Sequence, residues 1–323
     1  MRRRVWSETV PYERLIEPEV LGLLRRYAID VLVAVRPPDL GTLPRVVAVC
    51  ADAGVGFTAW PMLDDADGRW ASARNANVFV TFVRRVLAAA PLREIAIDLE
   101  PPIEDVRAVL EGTSGAGRAL RRAPTRDTFA RARATYAALV DELHAAKVRT
   151  TAAALPVVLL DPHGQRPRWQ RLAGTPVEGP AFDHVSVMLY TTMIEGWSRG
   201  LLRRDHARAV LAAACRAVAH RFGSVGGVSL GAVGVGALGD EPIYRDASEL
   251  ADDVAIARAA GCDDLTLFDL GGVLARTPAE AWLEAFVGTP AATSLPAESR
   301  RARILRASVP LLRWRARARA PTR

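Results

Sequence analysis

The segment 94–100, EIAIDLE, ends in two carboxylates, Asp98 and Glu100, that stand two residues apart. On a β-strand that spacing sends both side chains to one face. Carboxyls so close resist joint ionisation, so one pKa rises and leaves an acid able to give up a proton near neutrality. Protonating a leaving oxygen in this way is what cleavage of a glycosidic bond requires. The competing reading of the pair is structural, an ion pair with a neighbouring arginine such as Arg36.

A scaffold must bring these groups together with others. Short β-branched runs at 3–7, 30–36, 55–60, 94–100, 149–155, 184–190, 225–231 and 264–269 alternate with amphipathic segments at 17–27, 43–53, 75–90, a long stretch through 104–147, 203–222, 246–260 and 278–287. Only 156–183 reads as irregular, being rich in proline and glycine. Eight strands, each followed by a crossover, predict a parallel sheet closed on itself, a single (β/α)8 barrel over 1–288. Strand parity agrees: Ile95, Ile97 and Leu99 face the outer helices, whereas Ala96, Asp98 and Glu100 face the lumen. Likewise Val185, Val187 and Leu189 point out while Ser186, Met188 and Tyr190 point in. An open dinucleotide-binding sheet would need a glycine fingerprint after the first strand, where Trp6-Ser7-Glu8-Thr9 stands instead. Barrel chemistry sits at the C-terminal strand ends. The candidates there are Glu8, Arg36, Trp60, Asp98, Glu100, Met188, Tyr190, Phe268 and Asp269, with Trp70 and Trp197 in the following loops. Aromatic faces at such a mouth stack on sugar rings, or else cover the edge of the core.

Ile97-Asp98-Leu99-Glu100 at the end of strand 4, with Met188-Leu189-Tyr190 at the end of strand 6, resembles the chitinase-type glycoside hydrolases of family 18 and their endo-N-acetylglucosaminidase relatives. The resemblance implies Glu100 as general acid and base, and Asp98 as the carboxylate that orients the substrate's 2-acetamido group. That group attacks the anomeric carbon in place of an enzyme nucleophile, and Tyr190 supports it. The family's fuller motif carries two more aspartates, where this chain has Arg93 and Ala96. Thr191 replaces its acid or amide after the tyrosine, and Phe268 stands nearest to its strand-8 tryptophan.

Two other chemistries compete. Gly231-Ala-Val-Gly234-Val-Gly236-Ala-Leu-Gly239 contains GxGxxG but runs into Asp240-Glu241-Pro242 rather than opening a helix, which removes the dinucleotide reading. Gly271-Gly272, just before a helix after strand 8, could hold phosphate on backbone N–H groups, as in a phosphosugar or phosphoester barrel enzyme, or could simply permit a tight turn. A metal site finds only Asp161 and His163 suitably placed, so no metal and no cofactor is expected.

Composition narrows the field further. The 323 residues carry a net charge of +7, and Lys147 is the single lysine. Imine chemistry and a P-loop both need a lysine in the site, so they are excluded unless Lys147 is central. Residues 299–323 hold nine arginines and no acid, leaving 34 basic and 36 acidic residues in the body. The basic character therefore belongs to the segment 289–323, an Arg-rich tail, and nucleic acid is not expected as a partner. The tail reads as a solvated end or as a weak contact for an anionic membrane or acidic partner. Three scattered cysteines, no apolar run long enough to span a bilayer and a start without a signal-peptide core predict a cytoplasmic protein. The expectation is a glycosidase acting on an N-acetylhexosamine-containing carbohydrate. A barrel that binds a glycan or protein partner without turnover, and the phosphate-binding enzyme, are the alternatives.

Overall fold

A computed structural model describes residues 3–162, 164, 166–198 and 201–296 of the chain. The Arg-rich stretch from 297 on and His163 lie outside the described residues. Eight parallel strands close in sequence order: β1 (Arg3–Ser7), β2 (Asp30–Val35), β3 (Phe57–Pro61), β4 (Glu94–Leu99), β5 (Arg149–Ala154), β6 (His184–Met188), β7 (Gly226–Gly231) and β8 (Leu265–Phe268). The ring shuts where β1 pairs with β8, Val5 opposite Leu267. Helices fill the connections. The first seven are α1 (Tyr12–Leu15), α2 (Pro18–Arg26), α3 (Leu43–Asp52), α4 (Ala76–Ala89), α5 (Ile103–Leu110), α6 (Thr113–Arg121) and α7 (Arg126–Ala145). They are followed by α8 (Arg168–Ala173), α9 (Thr191–Gly196), α10 (Arg204–Phe222), α11 (Ala247–Ala259), α12 (Leu270–Ala275) and α13 (Ala279–Gly288). No helix among the described residues is long and apolar enough to cross a membrane.

Strands buried on both faces read as almost continuous apolar runs, and DVLVAV in β2 is such a run. The alternation within them builds two cores. Val31, Val33, Val35, Ile95, Ile97 and Leu99 pack under the helices. Trp6, Leu32, Ala34, Trp60, Ala96, Ala153 and Phe268 fill the lumen. The expected parity thus holds on β4. Helix starts follow local chemistry: Thr125 Oγ1 accepts the Thr128 N–H at 3.2 Å, and Asp246 accepts those of Ser248 and Glu249 at 3.0 and 3.3 Å.

Three details go beyond the sequence reading. The long amphipathic stretch 104–147 divides into α5, α6 and α7. Gly112, at φ +115°, breaks it between the first two, in a conformation that favours glycine. The irregular segment 156–183 contains a 3-10 turn (Pro156–Leu160) and α8, and Asp161 is committed to that helix. Its carboxylate accepts the N–H groups of Arg168, Trp169 and Gln170 at 2.7, 2.8 and 3.0 Å, the role of a helix cap rather than a metal ligand. Residues just beyond Gly288 still belong to the body. Ala292 donates to the Ala255 carbonyl at 2.9 Å, and Leu295 packs on the outer core.

Candidate active site

The pairing of β3 with β4 is short, with Ala59 opposite Ile95 as its one register pair. Beyond it, the loop after β3 takes over as β4's neighbour. Ala71 N–H donates to the Asp98 carbonyl at 2.8 Å, and Glu100 N–H donates to the Ala71 carbonyl at 3.1 Å. That loop is stapled by Asn75, whose Oδ1 accepts from Ser72 N–H and Oγ–H at 2.9 and 3.0 Å. Its Nδ2 donates to the carbonyls of Asp67 and Trp70 at 2.7 and 2.8 Å. The buried Tyr136 hydroxyl adds a bond to the Ser72 carbonyl at 2.9 Å. The backbone under both carboxylates is therefore fixed from two sides.

Asp98 and Glu100 line an open cleft of about 600 Å³ at the C-terminal end of the barrel. Glu8, Trp60, Trp70, Met188, Tyr190, Trp197 and Phe268 line the same cleft, so nine of the sequence candidates converge. Trp60 is floor: it is buried and meets Trp6 edge-on at 4.7 Å. Trp6 is in turn held by an N–H bond to Ser229 Oγ at 3.0 Å. Trp70 forms wall, and Trp197, 38% exposed, forms rim. Tyr190 starts α9 and stacks on Phe268 with ring centroids 5.5 Å apart.

Electrostatically the floor is a carboxylate cluster. Burial, then the nearby Glu8 charge, pushes Asp98 up to about 8. The Trp60 indole N–H opposes this weakly; it lies close to Asp98 but makes no hydrogen bond of good geometry, and Asp98 Oδ1 stays unpartnered. Burial raises Glu100 well above its ordinary value, with Asp98 and Glu8 adding to the effect. Burial also lifts Glu8 to about 7, against the pull of Arg69 and Arg36. Arg69 Nη1 meets Glu8 Oε1 at 3.1 Å. Neither Asp98 nor Glu100 forms an ion pair among the described residues, so the structural reading of the pair fails, Arg36 included. The Arg36 guanidinium instead contacts Met62 Sδ at 3.3 Å and stands off the cleft wall.

Asp269 and the two glycines after β8 also lie off that wall. Asp269 is fully buried, and its Oδ1 accepts the Gly272 N–H at 3.0 Å, capping α12. Burial raises it to about 6, while the amides of Gly272, Gly271 and Gly234 hold it down. A Cβ on Gly272 would sit 2.2 Å from the Gly234 nitrogen, so close backbone packing explains this glycine. The donors that a phosphate would need already serve Asp269.

Sequence reasoning missed three contributors. Glu241 lines the cleft with Oε1 held by the Leu238 N–H at 2.8 Å and Oε2 unpartnered. Trp6 shares lumen parity with Glu8 and was legible on that ground. Arg69 reaches Glu8 across a loop, a contact that no local pattern encodes.

No protein-family model and no curated protein matches the sequence. Solved structures do resemble it. The glycoside hydrolase domain of PgaB (BpsB) from Bordetella bronchiseptica aligns with a TM-score of 0.53 and 14% identity over 88% of this chain and 99% of that one. The spore cortex-lytic enzyme SleL of Bacillus megaterium aligns with a TM-score of 0.52 and 11% identity over 91% of this chain and 75% of that one. At such identities the shared property is the fold, a (β/α)8 barrel.

Proposed function

We propose that the chain is a glycoside hydrolase cleaving an N-acetylhexosamine-containing glycan by acid/base catalysis with assistance from the substrate. The observation that carries this reading is the unpaired Asp98–Glu100 couple at the bottom of a tryptophan-lined cleft. A carboxyl with a raised pKa enters the reaction protonated. Glu100 gives its proton to the glycosidic oxygen as the bond to the anomeric carbon breaks. The substrate's acetamido oxygen closes on that carbon, with Asp98 accepting from the acetamido N–H and Tyr190 supporting the group. Water then opens the ring intermediate and returns its proton to Glu100. Glu100, ionised once its proton has left, favours the positive charge that develops on the sugar. The PgaB domain that shares the fold is a glycoside hydrolase domain, which is compatible with this assignment.

Turnover of aryl N-acetylhexosaminides and chitooligosaccharides by wild type and Glu100→Gln tests it. Cleavage by wild type and its loss in the variant are expected. Equal rates in both would remove Glu100 from the role. Glycan binding without any turnover would assign the barrel to recognition instead.

A further inference from the structure

The cleft has two chemically distinct parts. Beyond the carboxylates and tryptophans, the lining comes from the α5–α6 hairpin and from the segments that follow β5 and β6, α9 included. Val106, Val109, Leu110 and Leu120 of the hairpin join Val157 and Ile194 in this aliphatic trough. The hairpin is a built element: a Cβ on Gly115 would fall 1.7 Å from the Ala108 carbonyl oxygen, so the two helices touch backbone to backbone. Its polar side is pinned, with Arg74 on Asp105 at 2.6 Å and on Glu104 at 2.8 Å, and Arg122 on Asp105 at 3.1 Å. Arg74, Asp105 and Arg122 line the cleft as well, paired with one another, while Val109 and Leu120 beside them remain 50% and 56% exposed.

Sugar rings stack on aromatic faces and need hydrogen-bond partners for their hydroxyls. Branched aliphatic side chains offer neither, so a hydroxyl drawn into the trough would lose its water without replacement. A methylene chain has the opposite balance and gains with each group buried. We infer that the substrate is amphiphilic: a glycan whose sugar rests at Asp98 and Glu100 and whose linear alkyl or acyl group lies in the aliphatic trough. The inference rests on the glycosidase reading for the sugar end. The trough and the carboxylates belong to one cleft, which ties the two parts to a single ligand.

Methyl, hexyl and dodecyl N-acetylglucosaminides, titrated calorimetrically below their micelle concentrations into Glu100→Gln, read the trough separately from turnover. Affinity should rise with chain length, by up to about fourfold per methylene that is fully buried, and at least tenfold from methyl to hexyl. In Val109→Asp and Leu120→Asp the ratio of dodecyl to methyl affinity should collapse toward one. A flat series in the parent overturns the inference even where wild type hydrolyses the methyl glycoside. If a flat series comes with a change of oligomeric mass in Val109→Asp, the face belongs to a second copy of the chain. Chain-length-dependent binding with no hydrolysis by wild type would sink the glycosidase reading and leave the amphiphilic ligand standing.

Discussion

The two ends of the lumen are built from the same strands and treat charge in opposite ways. β1 supplies Arg4, Trp6 and, just past its end, Glu8; β4 supplies Glu94, Ala96, Asp98 and then Glu100. At the N-terminal end, the fully buried Arg4 meets Asp264 at 2.7 Å and Glu94 at 3.6 Å and donates to Thr151 Oγ1 at 3.2 Å. Glu94 also accepts from Thr151 at 2.8 Å and pairs with Arg149 at 2.9 Å. At the C-terminal end, Glu8, Asp98, Glu100 and Glu241 crowd together, and among the described residues Arg69 on Glu8 is their one ion pair. Buried charge is tolerated when paired and costly when not. One end of the barrel therefore pairs its buried charges, and the other gathers carboxyls with little compensation, at the end where this architecture carries its active sites.

The largest effect should come from removing the acid. Glu100→Gln is expected to lower kcat by about 10³-fold, within the range for a general acid, without lowering the melting temperature. A parallel fall in both would mean that Glu100 supports the fold. The mirror experiment is Arg4→Met at the opposite end. It takes the buried cation away from Glu94 and Asp264, which costs about 3–5 kcal/mol for a broken buried pair, or roughly 10 °C in melting temperature. Residual folded protein should keep its kcat. A melting temperature within a degree of wild type would dissolve the contrast between the ends.

Much of this contrast was legible in the sequence. Lumen parity on β1 and β4 follows from a period of two, and EIAIDLE placed Asp98 and Glu100 correctly because strand register leaves a side chain no choice of face. Phe268 and Tyr190 come to the same cleft by the same rule. What strand parity does not report is non-local or conformational. Arg36 sits at a strand end but bends to Met62, and Asp269 turns from the cleft to cap the helix that follows it. The α5–α6 hairpin was hidden inside one long amphipathic stretch, because a helical break at Gly112 depends on a backbone angle that composition does not report.

A third effect sharpens the comparison through pH. Folded Asp98 holds its proton up to about pH 8, whereas the unfolded chain releases it near the ordinary value of 3.8. The folded state thus binds the proton more tightly, so this contribution to stability is complete below pH 3.8 and is lost as pH rises through about 8. Glu8, lifted from 4.5 to about 7, acts in the same direction. Asp98→Asn carries no such penalty. Its melting temperature should match wild type near pH 4 and exceed it at pH 8.5 by on the order of 5 °C. A gap that does not change between the two pH values would mean that the acidic floor is not under electrostatic strain.

The smallest effect tests how paired charge is shared at the stabilising end. Two cations pair with Glu94 among the described residues, and they differ in exposure: the side chain of Arg4 is fully buried, while that of Arg149 is 59% exposed. The Arg149 contact is the shorter at 2.9 Å, against 3.6 Å for Arg4. Distance alone would make Arg149 the more important partner. Exposure argues the reverse, because solvent screens the pair and the long side chain gives up entropy to hold its position. Arg149→Ala should therefore cost less than about 1 kcal/mol, leave kcat/KM unchanged, and lose its small effect in high salt. Arg4→Met should remain destabilising in the same salt, since Arg4 and its partner Glu94 are both buried. If Arg149→Ala destabilised as strongly as Arg4→Met, the network would be held at its exposed edge rather than in the lumen. The closed end of the barrel would then be as open to solvent as the cleft.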